Sequence, residues 1–133
     1  MATNIFARQE WIPGLSVVIK ASAHRAPLPM PDNTKYAAMT PEDAARAFLE
    51  AVGREDWTEA GKFDSPITDG FKHDRGGLQV ISIGKAFTSA ISAINGAQFV
   101  PYEIKLKSGQ INKHNLALKK DRNTSRWFVD GGI

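Results

Sequence analysis

Cysteine is absent from the 133 residues. Its absence excludes disulfides, zinc–thiolate sites and thiol nucleophiles, while leaving the redox compartment open. Long apolar runs are missing as well. The longest, Leu15 to Ile19, is broken by Ser16 and closed by Lys20, far below the ~18–20 apolar residues of a membrane-spanning helix. The first residues do not show the ordered basic start, apolar core and small-residue cleavage site of a signal peptide. Read as native, that start implies the cytoplasm; a leader already removed would imply an extracytoplasmic location. Nucleophile elbows, dinucleotide fingerprints and phosphate-binding glycine loops are also lacking. Gly76-Gly77 precedes a strand-like run rather than a helix, so it is no phosphate loop.

What is present suits one folded domain. Apolar residues make up 42% and charged residues 23%, an ordinary globular balance in a chain long enough to bury a core. The net charge of +3 conceals a division: residues 40–75 hold nine acids and five bases, whereas residues 97–133 hold seven bases and three acids. Two oppositely charged faces attracting each other explain this better than a nucleic-acid surface, because aromatics do not interleave with the lysines as a stacking platform requires. Nucleic acid is therefore not the expected partner.

Residues 99–133 dictate the architecture. Val100, Tyr102, Ile104 and Leu106 alternate with Pro101, Glu103, Lys105 and Lys107, the period-two pattern of a half-buried strand. A second run sets His114, Leu116 and Leu118 on one face, and a third sets Trp127 and Val129 opposite Arg126, Phe128 and Asp130. An antiparallel meander brings these apolar sets to one side only if facing numbers have an even sum across the first turn. That parity requires a loop of about three residues around Ser108-Gly109-Gln110 and places Ile104 near His114, Tyr102 near Leu116 and Val100 near Leu118. Across the next turn, Asp121 facing Arg126 stacks Leu118 on Val129 and Lys120 on Trp127.

Upstream, Thr40 is a good helix N-cap, Pro41 sits where a missing N–H costs nothing, and Glu42 and Asp43 favour the helix dipole. Ala44, Ala45, Phe48, Leu49, Ala51 and Val52 form the apolar stripe that runs to Gly53, and the alanines imply close approach to a neighbour. A second short helix is expected from Asp56, with Trp57, Ala60 and Phe63 inward and Ser65-Pro66 as its end. Residues 64–77 read as loop with one helical turn near Ile67 to Phe71, and Leu78 to Phe87 as a strand. Residues 88–98 are ambiguous between a helical turn and a connection. Residues 1–39 carry a strand-like Leu15 to Ala21 and the alternating Pro27, Pro29 and Pro31, and read as an arm or leader, with Phe6, Trp11 and Ile12 available for burial.

Chemistry-bearing residues are sparse. His24 and His73 stand alone; Asp69 and His73 lack a third ligand, so no metal and no cofactor is expected. Alternation sends Glu103 and Asp130 to the lysine-bearing outer face. Only Tyr102 and His114 fall on the inner face as polar groups. With Trp57 and Trp127 they form the candidate lining of a ligand-binding cavity.

The order of these elements, with TPEDAARAFLEAVGREDW (40–57) opening it and LALKKDRNTSRWFVDGGI (116–133) closing it, resembles the cystatin-like α+β cone of the nuclear transport factor 2-like superfamily. The resemblance covers about residues 40–133 and implies a domain with helices packed on a curved meander. It implies a non-catalytic accessory domain, binding a small apolar ligand in the cone or acting through interaction, and no carboxylate matches the superfamily's isomerase pattern. The enzymatic alternative is a lyase, isomerase or cyclase with His114 as general base and Tyr102 as hydrogen-bond donor. A homodimer through the outer sheet face is expected, because Phe99, Ala117 and Phe128 interrupt the lysines there.

Overall fold

The computed structural model describes residues 33–90 and 96–133. The expected strand at Leu15 to Ala21 and the proline segment before Asp32 lie outside the described residues, as does the middle of the ambiguous 88–98 stretch. Four helices, α1 (Asn33–Ala37), α2 (Pro41–Gly53), α3 (Trp57–Ala60) and α4 (Asp69–Arg75), precede a four-stranded antiparallel sheet of β1 (Gln79–Ile83), β2 (Gln98–Lys105), β3 (Ile111–Lys120) and β4 (Trp127–Gly131), in the order β1-β2-β3-β4. The architecture is α+β, with the helices on one face of an open sheet.

Helix α2 forms where the pattern places it. The Thr40 side chain accepts from the Asp43 N–H while the Asp43 carboxylate accepts from the Thr40 N–H, a reciprocal pair that satisfies two otherwise orphaned donors. All six residues of its expected stripe are fully buried. They pack against Val100, Ile104, Leu116, Leu118 and Val129 of the sheet, so the core lies between α2 and the inner sheet face. Helix α3 starts at the expected cap, Asp56, but stops at Ala60. Residues 64–77 depart from the loop reading: Thr68 caps a seven-residue helix, α4, that carries His73 and Asp74. Its Gly70 hid the signal, since glycine disfavours a helix interior.

The β2–β3 parity is as the hydrophobic pattern requires, but the register is two residues off. Val100 faces Leu116, Tyr102 faces His114 and Ile104 faces Asn112. The Leu106 N–H donates to the Gln110 carbonyl at 2.8 Å, so the three-residue loop is Lys107-Ser108-Gly109. Gly109 has φ 94°, and a positive-φ residue belongs at the third position of such a loop. The β3–β4 register matches the expectation: Leu118 faces Val129, Lys120 faces Trp127, and the Asp121 N–H donates to the Arg126 carbonyl. Strand β1 ends at Ile83; beyond it the Gly84 N–H donates to the Pro101 carbonyl and Phe87 bridges to Phe99.

The folded body begins before Thr40. Tyr36 is buried, and the Asn33 side chain donates to the Thr124 carbonyl at 2.7 Å. Arg126, expected on the outer face, instead turns inward to 1% exposure. Its guanidinium donates to Asn33 Oδ1 and to the Lys62 carbonyl, tying α1, the residues just after α3 and the start of β4 together.

Candidate functional site

Tyr102 sits midway along β2 on the inner face and is 5% exposed. Burial pushes its hydroxyl above the ordinary phenol range, with Arg75 pulling weakly the other way, so at neutral pH it is an uncharged donor. That donor is engaged: it gives a 2.6 Å hydrogen bond to the Gly132 carbonyl. Ile133 packs beside it against the core. The interior at this level is therefore closed by the chain's own last described residues.

His114 is the direct cross-strand neighbour of Tyr102, as alternation on the same face demands, yet it is exposed. The helices cover the Leu116–Leu118 half of β3, which is buried, and leave the half nearer the hairpin open. Its Nδ1 accepts from the Asn115 N–H at 2.8 Å. The Tyr102 hydroxyl and the His114 ring thus each have a backbone partner of their own, and both residues border one open surface cleft of about 450 Å³.

The two tryptophans lie elsewhere. Trp57 packs edge-on against Phe71 of α4, ring centres 6.5 Å apart. The Trp127 indole N–H donates to the Met39 carbonyl at 3.1 Å, fixing β4 to the α1–α2 connection. Of the four candidate lining residues, only Tyr102 and His114 come together. The Asp69–His73 pair is not assembled either: His73 contacts its neighbour Asp74 at 3.2 Å in the open. Among the described residues no three His, Asp or Glu side chains cluster as metal ligands. None of the described helices is long and apolar enough to cross a membrane.

The outer face carries the other candidate surface. Glu103 lies 3.9 Å from Lys113, and Asp130 3.7 Å from Lys119, so both carboxylates have lysine partners. Between these two ion pairs, Phe99 faces Ala117. Phe87, 42% exposed, stacks obliquely on Phe99 at 5.6 Å, and Phe128 faces Lys119 from the next strand. Phe87, Phe99 and Ala117 thus form one apolar row, and the Lys119–Asp130 pair separates it from Phe128.

Pattern reasoning missed Gly132, Arg126 and Asn33. For Gly132 the available signal is the glycine pair itself, since glycine beside a strand can mark a close backbone approach. No family model matches the chain, and no curated protein or solved structure is significantly similar to it.

Proposed function

We propose that this chain is a non-catalytic interaction domain of the nuclear transport factor 2-like type that pairs with a second copy of itself through the outer face of its sheet. The supporting observation is the apolar row Phe87–Phe99–Ala117, flanked by the Glu103–Lys113 and Lys119–Asp130 ion pairs. A two-fold contact buries such a row against itself, and each mixed-charge strip can meet an equivalent strip without leaving like charges opposed. The Tyr102 hydroxyl supports the same reading, because its hydrogen bond goes to the chain's own Gly132 carbonyl.

The test is sedimentation equilibrium of the full chain beside Phe99→Glu. A dimer for the native chain and a monomer with unchanged far-UV circular dichroism for the variant is the expected result. A native chain that stays monomeric throughout the accessible concentration range overturns the proposal.

A further inference from the structure

Beyond Gly131 the chain leaves the β-ladder. Gly131 (φ 137°) and Gly132 (φ 93°) adopt dihedrals that residues with side chains rarely take. Together they carry the chain across β3, so close that a Cβ on Gly132 would overlap the Asn115 carbonyl. Ile133 then lines a cleft of about 190 Å³ with Pro66, Ile67 and Phe71 and the polar Asp64 and Thr68, from the α3–α4 connection and α4. Among the described residues, no backbone–backbone hydrogen bond outside the strands involves Gly132 or Ile133. The Tyr102 hydroxyl on the Gly132 carbonyl and the half-buried Ile133 side chain are their attachments.

We propose that residues 131–133 are a displaceable strap over a site of mixed polarity, and that the guest able to displace it is a small molecule with an apolar body and a hydrogen-bond acceptor. The walls beneath the strap, Ile67 and Phe71, are hydrophobic and already pack on the core. The polar group that holds it, the Tyr102 hydroxyl, is a donor on a buried side chain. A buried donor stripped of its acceptor is costly. A guest that lifts Gly132 must therefore supply an oxygen in its place, which a hydrocarbon cannot do and a ketone or ester can. The Gly132 carbonyl and the Ile133 side chain already display that chemistry, an acceptor next to a branched apolar group.

Two probes of similar shape separate the contributions: acetophenone, which has a carbonyl, and ethylbenzene, which does not. Binding is read from chemical-shift changes of the Ile67 and Leu116 methyl groups in the full chain, in Ile133→Asp and in Tyr102→Phe. Ile133→Asp, which loosens the strap, is expected to bind acetophenone several-fold more tightly than the native chain. Tyr102→Phe is expected to lose the preference for acetophenone over ethylbenzene. Amide hydrogen exchange on the native chain is a second readout that needs no variant: the Gly132 and Ile133 amides should exchange at least a hundredfold faster than Leu118. Equal protection of strap and core overturns the proposal. So does a folded Ile133→Asp that binds neither probe, or binding without preference while Tyr102 is intact.

Discussion

The Glu42 carboxylate, in the first turn of α2, accepts a 2.8 Å hydrogen bond from the Ala86 N–H, joining the helix that carries most of the core to the segment that leaves β1. This bond is the chief reason the Glu42 carboxyl lies below the ordinary carboxylate range, with its own N–H and the Thr40 hydroxyl assisting. A depressed carboxylate stabilises the fold above its unfolded pKa and loses that contribution as pH falls through the folded one. Glu42→Gln keeps an acceptor but no titration. The native chain is thus expected to be the more stable at neutral pH, and the difference to shrink steadily as pH drops below about 4.5, measured by urea denaturation of both proteins across the acid range.

Removing the reciprocal cap at the start of α2 should be felt on its own. Thr40→Ala leaves the Asp43 N–H without its side-chain acceptor, and the expected loss is about 1 kcal/mol. Thr40→Asp should recover most of it. Chemical denaturation monitored by circular dichroism separates the two variants.

Phe48 occupies the centre of the core, fully buried between Phe63 and Phe71. Phe48→Ala is expected to cost about 3–5 kcal/mol, enough to bring a domain of this size near the limit of stability. Phe48→Leu should cost visibly less. The midpoint of urea unfolding decides between these outcomes.

On the far side of the core, the Tyr36 hydroxyl donates to Glu59 at 2.8 Å and accepts from Lys62 at 3.0 Å, while Lys62 and Glu59 are 3.0 Å apart. The Tyr36 hydroxyl first, then Glu59, raise the Lys62 ammonium above its ordinary range. Tyr36→Phe preserves the ring packed on Phe63 and removes both hydroxyl bonds. A loss of about 1 kcal/mol is expected, with the ammonium titrating at lower pH, which ¹⁵N-detected NMR of the lysine side chain can follow.

The sheet and α2 were legible in the sequence because each has one buried face and a strict period. Alternation in 100–106 and 116–118 settled which side chains meet α2, and the 3.6-residue spacing from Ala44 to Val52 settled which meet the sheet. The β2–β3 register slipped because parity constrains only odd against even; the position of one positive-φ glycine, Gly109, decides the rest. Helix α4 was illegible because its seven residues include a glycine and bury no side chain fully. The inner-face assignment of His114 was sound as a direction and misleading as a burial, since periodicity says which way a side chain points but not how far the covering helices reach. The Tyr102–Gly132 contact joins residues 30 apart through two glycines with no side chain to announce a partner, so no periodic signal existed.

Gly53, the last residue of α2, has a consequence for how the chain tolerates change. It reads as a helix terminator, yet its φ is not positive. What it lacks is bulk: a Cβ there would lie 2.5 Å from the Leu78 carbonyl at the entry to β1. In a saturation scan even alanine should be rejected at this position. A compensating second-site change would have to be sought in the backbone around Leu78, because the obstacle is a main-chain atom that no replacement of the Leu78 side chain removes. Helix and sheet are thus coupled in descent at this point: drift at residue 53 is permitted only if the start of β1 moves with it.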